Sequence, residues 1–180
     1  MTEISFTDEK VVGREFENCI FEKCIFIGSN FENCRFVDCT FSGCTISANK
    51  PNNSVFASIK FFNSKIIGVD WTKAKSVRFL EFRDCDIDYS NFRFLRLLHF
   101  TLLNSVAKET DFTGADLTDA VLNGTDFERA NFAQANLTNA DFRRARNYLI
   151  DFRTSNLKKA KFSMPEAMRL LQSLDIEVEY

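Results

Sequence analysis

Imidazole is almost missing from this sequence. His99 is the single histidine in 180 residues, and it lies in an apolar stretch, so no Ser-His-Asp or Cys-His arrangement has a choice of base. Glycine is scarce and scattered, six in all, which leaves no glycine-rich loop to cradle a phosphate. No run of about eighteen apolar residues exists to span a membrane. The opening residues, MTEISFTDEK, lack a basic stretch followed by an apolar one, so no signal peptide is visible and the expected location is the cytoplasm. A net charge of −2 predicts neither direct nucleic-acid binding nor a strongly acidic protein. Carboxylates are plentiful but recur at outward positions of a repeat, as solvated corners do. The sequence therefore predicts no enzyme, no cofactor and no metal site.

What is abundant is phenylalanine, 21 residues, and its spacing decides the fold. A large apolar residue recurs every five positions through Phe6, Val11, Phe16, Phe21, Phe26, Phe31, Phe36, Phe41 and Ile46. The series breaks at Pro51, resumes at Phe56, Phe61, Ile66 and Trp71, and shifts by one residue before Val77, Phe82, Ile87, Phe92, Leu97 and Leu102. It runs on through Phe112, Leu117, Leu122, Phe127, Phe132, Leu137 and Phe142, is interrupted at Asn147, and closes with Phe152, Leu157 and Phe162. A period of five fits neither an amphipathic helix nor a strand. It predicts a solenoid, whose single unit cannot bury its apolar face while stacked units can.

Two positions before each large residue the side chain is small: Cys19, Cys24, Ser29, Cys34, Cys39 and Cys44 early on, and Ala115, Ala120, Thr125, Ala130, Ala135, Ala140, Ala145 and Ala160 later. Small residues let the backbone close around the ring. The position just before the large residue is often Asp or Asn, as at Asp111, Asp116 and Asn136. Such side chains bond their own backbone at bends. Cys19 and Cys39, like Cys24 and Cys44, are twenty residues apart and stack on neighbouring coils, which puts each pair in disulfide range; a reducing cytosol favours free thiols.

The stretch TDFTGADLTDAVLNGTDFERANFAQANLTNADF resembles the A-(D/N)-L-x-x consensus of the pentapeptide repeat family, and the resemblance extends over about residues 6 to 162. It implies an all-β solenoid, a right-handed quadrilateral β-helix with four pentapeptides to a twenty-residue coil. At ~4.8 Å per rung, seven to eight coils make a rod on the order of 35–40 Å long. The expected organisation is a repeat domain over 1–162, with an in-phase loop near 47–55 and a one-residue shift between 71 and 77, followed by a C-terminal element over 163–180.

Folding the repeat into four columns places Asp86, Asp88, Glu109, Asp126 and Glu128 on the face of Ile87, Ala107 and Phe127, an acidic stripe offset by Lys108 and Arg129. Arg143, Arg144, Arg146, Arg153, Lys158, Lys159 and Lys161 surround the last coils. In residues 92–103, Phe94, Leu98 and Leu103 fall at outward positions, and Leu95 and Phe100 are too large for the small-residue slot. Either that coil is bulged, or it exposes an apolar patch covered by 47–55 or by a partner.

From Ser163 the period changes. Ser163 and Glu166 read as a capping box with Pro165 in the first turn, and Ala167, Leu170, Leu171 and Leu174 mark one face of a capping helix. Ile176, Val178 and Tyr180 then alternate with acids, as in a short strand. The tail LLQSLDIEV is similar to the terminal L-L-x-x-L-G-I-x-V element of Qnr-type quinolone-resistance proteins, with Asp175 where that element has Gly. That resemblance implies a homodimer joined through the C-terminus, with Met168, Leu171, Leu174, Ile176, Val178 and Tyr180 as cap and dimer residues; a strand folded back on its own rod is the other arrangement. It also implies a function: binding DNA gyrase or topoisomerase IV as a DNA mimic, through the acidic stripe, and protecting the enzyme from quinolones or other poisons. The alternative is a scaffold or regulatory interaction module with no topoisomerase target.

Overall fold

The computed structural model describes residues 1–174 and 176. The chain winds as a four-sided β-solenoid in which residue i pairs in parallel with residue i+20. Ser5–Thr7 pairs with Ile25–Ile27, which pairs with Thr45–Ser47, which pairs with Lys65–Ile67. The inward residues stack ring on ring along each face: Phe16 on Phe36 at 4.7 Å, Phe21 on Phe41 at 4.6 Å, Phe112 on Phe132 at 5.2 Å. Outside the turn after Trp71 and the last coil, corners are closed by a residue of positive φ two positions after the inward one. All six glycines occupy such corners, and Asn, Asp and larger residues fill the others.

The two halves of the sequence build their sides differently. Early repeats carry residues such as Ile20, Ile25 and Thr40 before the inward Phe, and there each side is a three-residue strand. Later repeats carry Asp or Asn, whose Oδ1 accepts the N–H two residues on, as Asp111 does from Thr113 at 2.9 Å and Asp116 from Thr118 at 3.1 Å. This local bond turns the chain after a single bridging residue. The small slots do more than save space. The thiols of Cys34 and Cys39 and the hydroxyls of Ser54, Thr110 and Ser155 donate to the carbonyl of the inward residue one coil earlier, at 2.8–3.4 Å. All six cysteines are free thiols.

The extra residue is absorbed in a short 3-10 turn, Trp71–Lys73, opened by Asp70, whose carboxylate accepts from the Thr72 N–H. Across it the ladder spacing becomes twenty-one, as in Val55↔Ser76 and Phe61↔Phe82, and later returns to twenty. Two strands beside it, Val55–Phe62 and Ser76–Arg83, run unbroken for eight residues. Buried Ile59 and Leu80 stand where neighbouring coils have small residues, and these β-formers carry the strand through the corner. Phe100 follows in the same column, buried against Phe82 and Phe92 at 5.7 and 5.6 Å; the smaller inward residues Leu97 and Leu102 leave it room.

Residues 47–55 are no projecting loop. Lys50 bridges Asn30, and Pro51 is buried in the inward slot, so this stretch is wall and covers nothing on 92–103. The last coil also departs from the five-residue rule. Phe152 is 42% exposed, while Tyr148 and Ile150 are buried in its stead. Asn147 redirects the chain: its N–H donates to Glu166 Oε1 at 2.7 Å and its Nδ2 to Asp126 Oδ1 at 2.9 Å. Glu166 is thereby diverted from the capping box, and the Ser163 hydroxyl instead accepts from the Arg144 N–H at 3.3 Å. The cap is a 3-10 helix, Glu166–Leu174, with Leu170 packed against the core.

Candidate functional site

The ladder Lys65↔Asp86↔Val106↔Asp126↔Arg146 runs along one side of the rod, and Asp88, Lys108 and Glu128 parallel it one step along the chain from the inward residues. Glu109 and Arg129 occupy the adjoining corner, both with positive φ. The five predicted acids are therefore brought to one face, together with four cations. Lys108 Nζ lies 2.8 Å from Glu128, Arg129 Nη1 3.4 Å from Glu109, and Arg146 Nε 3.3 Å from Asp126. The Lys108 ammonium holds the Glu128 carboxyl below its usual range, and Glu128 raises Lys108 in return.

Asp126 differs from the other four. It is 7% exposed and fixed by Arg146, Asn147 and the Glu128 N–H, so it is a structural anchor. Asp88 accepts the Lys108 N–H, and partial burial raises its carboxyl above the ordinary value. Asp86 closes its own turn by accepting the Asp88 N–H at 3.1 Å. The column arithmetic identified the acids and two of their cations; Lys65 and Arg146 follow from the same arithmetic carried one coil further each way.

At the basic end, Arg143 and Arg153 fold back onto Asp141 and Asp151 with paired N–H contacts of 2.6–3.2 Å. Lys158, Lys159 and Lys161 are exposed. Phe94, expected at an outward position, proves to be one of a set of large side chains at left-handed corners: Phe79, Tyr89, Phe94 and His99 have φ of 53–59°. Phe79 stacks on His99 at 5.6 Å, and Phe94 is 65% exposed with the Arg93 guanidinium 5.6 Å above its ring. Such corners cost a non-glycine residue roughly 1–2 kcal/mol each, and exposed rings recover little of it by packing. The left-handed position, two after each inward residue, is readable from the period alone.

Of the predicted cap and dimer residues, Met168 and Leu171 are half-buried, while Leu174 and Ile176 are exposed. Val178 and Tyr180 lie outside the described residues. Among the described residues there is no group of side chains that could hold a metal ion, and no helix long and apolar enough to cross a membrane.

A family model described as a pentapeptide repeat region matches residues 14–92, and another, for eight-copy pentapeptide repeats, matches residues 109–146. No curated protein matches the chain. Among solved structures, a trypsin-treated variant of QnrB1, a plasmid-mediated fluoroquinolone resistance protein, is similar over 99% of this chain and 100% of its own, with 20% identity and a TM-score of 0.69. Full-length QnrB1 is similar over 98% and 99%, with 16% identity and a TM-score of 0.54. At these identities the likeness is one of fold.

Proposed function

Because the chain belongs to the pentapeptide repeat family, we propose that it works without catalysis, as a rod that binds DNA gyrase or topoisomerase IV in place of DNA and protects the enzyme from quinolones or other topoisomerase poisons. The observation that carries this reading is the whole-length likeness in fold to QnrB1, a fluoroquinolone resistance protein. The acidic face gives it a contact surface. Glu109 and Glu128 are tied only by exposed pairs to Arg129 and Lys108. Such pairs are worth about 0–1 kcal/mol, so a basic saddle on a partner can exchange them for its own cations. Asp86 and Asp88 add two carboxylates beside them; Asp126 stays committed to the rod. A second copy joined at the C-terminal cap would double the length presented.

The test is gyrase binding by the wild type and by a variant with Asp86, Asp88, Glu109 and Glu128 all changed to Lys, with circular dichroism as the folding control. Binding lost in a folded variant is the expected result. Equal binding by both would mean that the acidic face is decoration. A second reading, an interaction module with no topoisomerase target, is favoured by Phe79, Phe94 and His99, which sit on corners away from the acidic face. Absence of gyrase binding by the wild type would leave that reading in place.

A further inference from the structure

Val77, Phe82, Ile87 and Phe92 are the four inward residues of one coil, so the side of Val77 and Leu97 lies across the rod from the acidic side of Ile87 and Ala107. Its charge is the reverse. Arg78 and Arg96 flank its inward residues, and Lys73 and Lys75 lead into it. All four are exposed and form no ion pair among the described residues. The neighbouring carboxylates are engaged: Asp70 accepts from Thr72, Asp111 from Thr113, and Asp116 from Thr118 and Asn136. Along the corner column, Ser58, Phe79 and His99 separate the exposed acids Asp38 and Asp119. A net charge of −2 averages over these opposite faces and conceals both.

The same side is edged by rings. Phe79, 43% exposed, stacks on His99 at 5.6 Å with 23° between the planes. One coil earlier the corner residue is Ser58, set opposite Phe79 by the pairing of Ala57 with Arg78 and Ile59 with Leu80. The ring stack therefore ends open, with a small side chain where a further ring would lie. At the adjoining corner Phe94 is seated on Gly114, where a β-carbon would come within 2.4 Å of the ring. Left-handed corners penalise these side chains, and solvent gives the rings nothing in return. Unpaired cations beside an open ring stack suit a ligand that offers both phosphates and flat apolar faces. Bases stack on aromatic side chains in this way whatever their sequence. An acidic peptide would meet the cations but bring no flat face, and a duplex hides the faces of its bases.

We propose that this side of the rod binds single-stranded nucleic acid, with a base continuing the Phe79–His99 stack over Ser58, Phe94 as a second platform, and phosphates held by Lys73, Lys75, Arg78 and Arg96. Fluorescence anisotropy with a labelled oligothymidylate at low salt makes the test, with circular dichroism as the folding control. Wild type is expected to bind saturably. Phe79→Ala is expected to weaken binding at least fivefold, and Phe79→Trp, which keeps a ring, to retain it. Arg78→Ala with Arg96→Ala is expected to flatten the dependence of log affinity on log salt by about 1.4, at roughly 0.7 per phosphate contact. Polyglutamate, matched charge for charge, is expected to compete poorly. The proposal is overturned if wild type does not bind the oligonucleotide, or if folded Phe79→Ala binds as tightly as wild type. It is also overturned if polyglutamate competes as well as unlabelled oligothymidylate, which would make the partner an acidic protein surface.

Discussion

Phe132 and Phe152 are one coil apart and identical by periodicity, yet the structure gives them opposite fates. Phe132 is 2% exposed, stacked on Phe112 at 5.2 Å and edge-on to Phe127 and Phe142 at 5.3 and 5.7 Å. Truncating a buried Phe costs about 3–5 kcal/mol, and aromatic pairs add about 0.5–1.5 kcal/mol each, so Phe132→Ala belongs near the top of that range, about 4–5 kcal/mol. Phe152 is 42% exposed. Full burial of a Phe is worth about 1.5–3 kcal/mol, and a little over half of that puts Phe152→Ala near 1 kcal/mol. Tyr148→Ala, at a fully buried ring 5.4 Å from Phe162, belongs with Phe132. Tyr148→Phe, which only deletes an unpartnered buried hydroxyl, should be neutral or slightly stabilising. Urea unfolding followed by far-UV circular dichroism measures all four. A Phe152→Ala cost equal to that of Phe132→Ala would refute the register of the last coil.

Gly68→Ala is expected to cost about 1–2 kcal/mol in thermal unfolding, because its φ is +64° although a methyl there would meet nothing within 4 Å; a neutral result would contradict the left-handed corner. Burial pushes the Cys85 thiol from 9.0 to about 11, a pKa higher folded than unfolded, so its contribution is complete below about pH 9 and lost as pH rises toward 11. That loss is on the order of 2–3 kcal/mol, and Cys85→Ala should flatten the alkaline decline in stability; an unchanged slope would count against it. Deleting residues 175–180 should turn a dimer into a folded monomer by light scattering, and a full-length chain that is monomeric at high concentration would leave the C-terminus as a cap alone.

The sequence reveals most where one residue repeats on every rung. Inward Phe and Leu, Asp and Asn at bends, and the shift at Trp71–Lys73 each have a period or a break that can be counted. Pro51 reads as a loop because proline usually marks one. In place, its ring is buried and it merely lacks the N–H that Phe31 gives to Lys50 and Trp71 to Asn91, so the coil gives up a single rung bond. The end near Phe152 was hidden because Asn147 takes its partners from Asp126 and Glu166, neighbours only in the folded rod. The acidic face and two of its offsetting cations, Lys108 and Arg129, were legible from the columns, since their ion pairs join residues twenty positions apart; the burial of Asp126 was not, because Arg146 and Asn147 fix it only where the last coil departs from the period.

DNA supercoiling by gyrase in the presence of a quinolone, with increasing amounts of this protein, tests the proposed function most directly. Restoration of supercoiling by the wild type, and not by the variant carrying Lys at positions 86, 88, 109 and 128, is the predicted result. Supercoiling that stays inhibited at every concentration of a folded wild-type protein would contradict it.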